Sequence, residues 1–288
     1  MKPIIQKGLK QIQEEQIQEI HAVTGGDINE AYYVRTKHQE YFVKLNKEMD
    51  VSFFEFEAEG LSAIRQTGAI NVPAVYGVQK DKETQIPMLF MEWIEGKKEN
   101  NTDEILGERL AALHLSEGPG FGWEGKSYIG KLMHDNHLHN SWLTYYRDAR
   151  LLEQIKIGQS QKSISGERNK QLMRLLEKLD TWIPNNPKSS TLHGDLWGGN
   201  WMTGKGGVPY LIDPSILYGD HEFEMAFTEL FGGFSQRFYD AYHSVFPLSP
   251  EYETRKELYQ LYYLLAHLNM FGESYGGSVD RIVRKYVG

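Results

Sequence analysis

The 288-residue chain contains no cysteine. That absence excludes disulfides, thiolate metal sites, cysteine nucleophiles and thiol redox chemistry. No apolar run is long enough to span a bilayer, and the opening stretch from Met1 to Lys7 lacks the apolar core of a signal peptide. A cytoplasmic location is therefore the expectation. An excess of positive charge is missing too: 31 Lys and Arg stand against 39 Asp and Glu, a net charge of −8. Such an acidic balance argues against broad binding to nucleic acid or to anionic membranes. There is no repeat of fixed period and no low-complexity tract.

What the chain does contain changes along its length. Roughly residues 20–95 read as strands with one helix, whereas roughly 100–182 and 220–287 read mostly as helices. Ala31 to Val34 and Tyr41 to Val43 are β-rich runs parted by polar residues, and they read as neighbouring antiparallel strands. Pro87 to Met91 is a further short apolar run. Glu95-Gly96-Lys97-Lys98 reads as the joint between a β-rich N-lobe over 1–95 and a larger, mostly helical C-lobe over 96–288. Beyond it, Ile105, Leu106, Leu110 and Leu113 recur at helical spacing, as do Leu172, Leu175, Leu176, Leu179 and Trp182 before Pro184. The expected class is α+β. One stretch between the helices does not look helical: His193 to Trp201, then the apolar Tyr210 to Ile212, then Asp213-Pro214.

Asp195 and Asn200 have the D-x-x-x-x-N spacing of a kinase catalytic loop, in which the Asp accepts a hydroxyl proton and the Asn binds Mg²⁺. Gly198-Gly199 is read as supplying the backbone freedom for that loop to reverse direction. Asp213, after its short apolar strand, is the second metal ligand, since Mg²⁺ needs only one or two carboxylates beside phosphate and water. Such a site also requires a cation on the phosphates and a carboxylate to hold that cation. Lys44 ends the run Tyr41-Phe42-Val43-Lys44. The next helical segment offers Glu57 and Glu59, and helix phase separates them. Glu57 falls on the apolar stripe with Phe53, Phe54, Leu61 and Ile64, whereas Glu59 falls with Ser52, Glu55, Ser62 and Gln66. A carboxylate on a buried face requires a paired charge, so Glu57 is the expected partner of Lys44. Gly25-Gly26-Asp27-Ile28-Asn29 either offers backbone N–H groups to phosphate or is simply a hairpin turn, and it matches neither the P-loop nor the dinucleotide-binding glycine pattern. Trp197 and Trp201 bracket the catalytic loop as sugar-stacking faces or as buried packing. His114 and His267 lie on apolar helical stretches and read as structural histidines.

With these residues assembled, the chain resembles the fructosamine kinase (ketosamine-3-kinase) family, within the protein-kinase-like fold. The likeness runs over nearly the whole chain, through Gly25 to Asn29, Phe121-Gly122, Tyr128 to Gly130, Trp142 with Arg150-Leu151, and His193 to Asn200. Its most specific stretches are Glu229 to Phe234 and Leu258 to Tyr262, extended by His267 to Asn269 and Phe271-Gly272. Aminoglycoside and choline kinases share the loop in outline but not these C-terminal stretches. The resemblance implies a two-lobed enzyme using ATP and Mg²⁺, with Asp195 as the base and Asn200 and Asp213 on the metal. It implies Lys44 and Glu57 as the phosphate-positioning pair, with Gly25, Gly26 and Asn29 at the nucleotide. Met91, Glu92, Trp93 and Ile94 become the hinge that meets adenine, and His193, Trp197 and Trp201 become candidate sugar contacts. The implied reaction moves the γ-phosphoryl group to the 3-hydroxyl of a free or protein-bound ketosamine, and the unstable 3-phosphate then leaves the amine. Likeness to bacterial members points to ribulosamines and erythrulosamines ahead of fructosamines. Rival readings are an aminoglycoside- or choline-type phosphotransferase and a catalytically inactive nucleotide-binding module.

Gly194 stands where protein kinases carry an Arg and Pro214 where they carry a Phe, so a phosphorylation-driven activation segment is not expected. Some members of the resembled family carry a cysteine where this chain has Asp27, and a dimer linked through that thiol makes their activity answer to oxidant. Asp27 cannot form that link, and no other residue can replace it. A monomer without a disulfide-linked form is expected. Initial rates should be the same before and after mild diamide treatment, with or without later dithiothreitol. A thiol-reversible loss of activity would contradict this.

Overall fold

The structure is a computed structural model that describes residues 1–24 and 28–288. Five antiparallel strands form the N-lobe sheet: β1 (Glu19–Val23), β2 (Glu30–Arg35), β3 (Glu40–Leu45), β4 (Val75–Lys80) and β5 (Pro87–Glu92). Their order is β1-β2-β3-β5-β4. In β3 the period-2 alternation decides which face each residue serves. Tyr41, Val43 and Leu45 pack with Ile5 and Leu9 of α1 (Lys2–Ile12). Phe42 and Lys44 therefore face the other side, where α2 (Val51–Thr67) lies. Phe53, Phe54, Leu61 and Ile64 of α2 pack there with Leu89 and Met91 of β5. Asp50 caps α2 by accepting the Ser52 N–H, and Gly68 ends it at φ +66°. The helix α1 was not read from the sequence, where the first elements seen were strands.

The backbone from Trp93 to Glu99 is irregular and leads into α3 (Thr102–Leu115). This joint is not loose. A Cβ on Gly96 would lie 1.9 Å from the Gly204 carbonyl oxygen, so the crossing segment is pressed onto C-lobe backbone that only glycine can approach. The C-lobe continues with the hairpin β6 (Lys126–Ile129) and β7 (Leu132–Asp135). A short α4 (Trp142–Thr144) runs through a π-helical stretch (Tyr145–Leu152) into α5 (Glu153–Gln161), followed by α6 (Gly166–Glu177). The periodic run expected to continue to Trp182 breaks after Glu177 into a 3₁₀ turn, Leu179–Thr181. Strands β8 (Ser190–Leu192), β9 (Trp201–Thr203), β10 (Pro209–Leu211) and β11 (Leu217–Gly219) form two short antiparallel pairs, β9 with β10 and β8 with β11. Helices α7 (His221–Leu230), α8 (Gln236–Val245), α9 (Tyr252–Phe271) and α10 (Gly276–Val287) complete the chain.

The C-lobe core is strongly aromatic. Trp142 is fully buried, with Tyr146 stacked 5.6 Å away and Phe223 edge-on at 5.6 Å. Such rings combine large apolar burial with defined geometry and make a stiff base under the β8–β11 insert. Among the described residues, no helix is long and apolar enough to cross a membrane.

Candidate active site

The β9–β10 pairing sets Leu211 opposite Trp201, so the residues flanking this hairpin, Asn200 and Asp213, emerge at the same end. The Ile212 N–H donates to the Asn200 carbonyl at 3.0 Å and closes that end. Asn200 Nδ2 donates to the Asp195 carbonyl at 2.7 Å and to Asp195 Oδ2 at 3.2 Å, fixing the Asp195 carboxylate. Asp213 has φ +57°, a left-handed conformation that Asp tolerates better than most side chains.

Two readings of this loop are corrected by the structure. Gly198 and Gly199 do not use left-handed backbone angles. They are needed for space: a Cβ would come within 2.9 Å of Gly233 Cα at Gly198 and within 2.3 Å of the Trp197 ring at Gly199. The residue with the unusual conformation is Gly194, at φ +87°, where a Cβ would fall 1.8 Å from the Ser215 carbonyl. His193 is not a sugar contact. It is fully buried; its Nε2–H donates to the Ile212 carbonyl at 2.8 Å, and Nδ1 accepts the Asp195 N–H at 3.3 Å. Burial pushes its pKa down, so the neutral ring, with one donor and one acceptor, ties the Asp195 backbone to the strand that leads to Asp213.

Lys44 Nζ lies 2.7 Å from Glu57 Oε1 and also bonds Asp213 Oδ1. Both Lys44 and Glu57 are buried, whereas Glu59 is exposed. Burial opposes the Lys44 charge, but Asp213 and Glu57 together outweigh it and its pKa is raised. Burial lifts the Glu57 pKa, and Lys44 pulls it back only in part because Asp213 shares the same ammonium. Asp195 is pushed well above the usual carboxylate range, first by loss of water and then by Asp213. Two carboxylates thus share one ammonium, and Asp195 lines the same cavity. An oxygen-rich site with surplus negative charge suits a hard divalent cation. Among the described residues no cluster of three His, Asp or Glu builds a complete metal cage, so an ion here must share its coordination with phosphate and water.

These residues line one cavity of about 670 Å³, a size suited to small ligands. Ile28 and Asn29 form part of its wall, held by Asn46, whose Nδ2 donates to the Ile28 carbonyl at 3.0 Å and to Asn29 Oδ1 at 2.9 Å. Gly25, Gly26 and Asp27 lie outside the described residues. Trp197 lines the cavity and is 43% exposed. Trp201 does not line it; it is buried against Phe234, with Lys98 Nζ 4.5 Å above its ring, so of the two tryptophans it is the packing residue. The cavity does not reach Met91, Glu92, Trp93 or Ile94. Met91 pairs within the sheet, and the Glu92 N–H is spent on the Ala74 carbonyl at 2.8 Å. Only Trp93 and Ile94 of that stretch follow the strand as irregular backbone. His114 is structural, bonded to Glu224 at 2.8 Å and Tyr242 at 2.7 Å. His267, read as structural, bonds the Tyr263 carbonyl at 2.7 Å and also lines the cavity.

The residue that sequence reasoning missed is Glu224 on α7. Fully buried, it accepts the backbone N–H groups of His193 and Gly194 as well as the His114 Nε2–H. Its signal was an acid within the apolar run Phe223 to Phe227, but the partners lie some thirty residues upstream and farther. The sequence also hides a false signal. Gly120 to Ser127 spells G-x-x-x-x-G-K-S, yet it runs into strand β6 and not into a helix, and Ser127 is buried against His134 Nε2 at 2.8 Å. The strand–loop–helix context of a phosphate loop is absent there.

The family model for fructosamine kinases matches residues 1–288. A probable ketoamine kinase of Enterococcus faecium is 38% identical over 265 residues, covering 92% of this chain and 94% of that protein. The chloroplastic protein-ribulosamine 3-kinase of Arabidopsis thaliana is 33% identical over 280 residues, covering 94% and 83%. A solved Haemophilus somnus chain, provisionally named a fructosamine-3-kinase, superposes with a TM-score of 0.88 at 27% identity, covering 98% of this chain and 97% of that one. An aminoglycoside phosphotransferase, APH(4)-Ia, superposes with a TM-score of 0.65 at 18% identity over all of both chains, a likeness of fold alone.

If Lys44 is held by Glu57, Glu57→Gln should lower kcat/KM by roughly one to two orders of magnitude, as expected when a positioning charge is lost. Glu59→Gln should change it less than about twofold, because that side chain is exposed and, among the described residues, accepts a hydrogen bond from Trp123 Nε1 alone, at 3.3 Å. Steady-state kinetics of the two variants side by side check this; equal losses would detach Glu57 from the site.

Proposed function

The chain belongs to the fructosamine kinase family, and from that premise we propose that it transfers the γ-phosphoryl group of ATP to the 3-hydroxyl of a ketosamine. The carrying observation is that Asp195, Asp213 and the Lys44–Glu57 pair open into one cavity whose other end has no charged lining residue among those described. A polycationic aminoglycoside would require carboxylates at that end, which disfavours the aminoglycoside reading. Lys44, Asp195 and Asp213 are all present, which disfavours the inactive module.

Asn200 and Asp213 would hold the Mg²⁺ that accompanies the nucleotide and neutralises charge on its phosphates. Lys44, kept protonated by its two carboxylates, is placed to grip those phosphates. Asp195 accepts the proton from the 3-hydroxyl as the O3–P bond forms and the bond to the ADP oxygen breaks. Asn200 keeps the Asp195 carboxylate from rotating away. Backbone from Trp93 to Ile94, beyond the ladder, is the stretch left to meet adenine. The 3-phosphate of a ketosamine is unstable and releases the amine, so the consequence of the reaction is deglycation. Ribulosamines and erythrulosamines are the proposed sugars, on a free or a protein-borne amine.

Phosphoryl transfer to ribulose-, erythrulose- and fructose-lysine, with the product located by NMR, tests this directly. Phosphate on O3 is the expected result. Asp195→Asn should lower kcat by about 10²–10⁴-fold, the usual cost of removing a general base, while Mg·ATP affinity stays nearly intact. A tenfold or larger loss of ATP affinity with unchanged turnover would place Asp195 on the metal instead.

A further inference from the structure

All the acids that line the cavity are at its catalytic end: Glu57, Asp195 and Asp213. The lining residues grouped around His267 are aromatic and carry no carboxylate, namely Phe231, Phe271 and Tyr275. The His267 ring lies 4.9 Å from Phe231, 5.5 Å from Phe271 and 5.1 Å from Tyr275, and Phe271 lies 6.3 Å from Tyr275. These rings are not core. Phe271 is 54% exposed and Phe231 41%, and with Trp197 they leave an aromatic surface open to whatever enters the cavity. A contiguous exposed aromatic surface inside a binding cleft is a recognition surface by default.

The box is held firmly. His267 Nδ1–H donates to the Tyr263 carbonyl at 2.7 Å, one turn back on α9. Burial pushes the His267 pKa down, so the ring adds no positive charge and Nε2 remains an acceptor. Tyr275 ends a 3₁₀ turn pinned by Arg168, which bonds Glu273 at 2.6 Å and Asp280 at 2.7 Å. Phe231 belongs to a loop clamped onto the catalytic loop: a Cβ on Gly233 would lie 2.6 Å from Gly198 Cα, so only glycine permits the approach. The segments that carry Phe231 and Tyr275 are thus tied to the catalytic loop and to α6 and α10.

Aromatic faces with no carboxylate among the lining residues beside them, Glu273 being paired with Arg168, select a cation that is already weakly hydrated, and a substituted ammonium is that kind of cation. A ketosamine differs from its parent ketose by one protonated secondary amine. We propose that Phe231, Phe271 and Tyr275, with Trp197, form the subsite for that ammonium nitrogen and the methylenes beside it, so that charge on the amine helps select the substrate. This rests on the ketosamine reading of the site. The Nε2 of His267 is the acceptor available to the ammonium N–H.

The experiment compares two substrates: ribulose-lysine and the 1-O-alkyl ribulose ether of the same chain length, in which oxygen replaces the amine and removes the charge. Wild-type kcat/KM should favour the amine by about tenfold, within the range of cation–π selection at a desolvated site. In Phe231→Leu/Phe271→Leu, which keeps apolar bulk but removes the π faces, the amine-to-ether ratio should fall to about twofold or less. Phe231→Tyr/Phe271→Tyr should restore it. A wild-type ratio near one, or a leucine variant that loses both substrates equally and keeps the ratio, overturns the proposal. If the wild type turns over neither substrate yet phosphorylates another alcohol, it is the ketosamine reading that fails.

Discussion

The Lys44 ammonium joins three parts of the chain that have nothing else in common. It comes from β3, its partner Glu57 from α2, and Asp213 from the loop after β10. A buried cation with one partner removed leaves an uncompensated charge in a dry place, which is strongly unfavourable. The sheet, the helix and the C-lobe hairpin must therefore hold their relative positions for the pair to exist at all. Conversely, two carboxylates on one ammonium leave the site short of positive charge. The arrangement is thus both a brace between lobes and a standing demand for a cation and its phosphates.

That demand has to be met by a loop that would otherwise move. Glu224 and His193 supply the rigidity. One buried carboxylate collects two backbone N–H groups at the start of the loop, and its own charge is sustained despite burial by the His114 hydrogen bond and the nearby histidines. The His193 ring then links the loop to the strand before Asp213. Hydrogen bonds from a charged acceptor are among the stronger ones, and here they act on backbone and leave the Asp195 side chain free for chemistry.

What could be read from the sequence follows from how local the determinant is. Strand pairing of Ala31 to Val34 with Tyr41 to Val43 and the separation of Glu57 from Glu59 depend on short-range period, and the structure places them accordingly. Asn200 and Asp213 come together because a short hairpin lies between them, and Asp195 is held to Asn200 by the short loop before it, so both spacings are local. The failures have the opposite character. That Trp201 packs inward while Trp197 faces the cavity is set by Phe234 and Lys98, far along the chain. Gly198 is a glycine because Gly233 approaches it, and no local pattern announces a backbone contact of that kind. His193 looked like a site residue because it adjoins one; its ring serves the backbone on both sides.

The same close packing bears on control. In protein kinases the residue after the metal-binding Asp is a Phe that changes position, and α2's counterpart moves with it. Here that residue is Pro214, whose ring restricts its own backbone and the one before it. Asp213 nonetheless adopts a left-handed conformation, which Asp accepts better than most residues. Pro214 and Ile216 press on α2 at Gly60, where even a methyl group would meet Pro214 Cγ at 3.0 Å and Ile216 Cβ at 3.2 Å. The segment that carries Asp213 is therefore packed directly on the helix that carries Glu57. Moving Asp213 out of the site would take away one of the two carboxylates that hold Lys44. That packing joins the two acids nearest Lys44 through one contact between the lobes, so the geometry of the cavity's catalytic end depends on it.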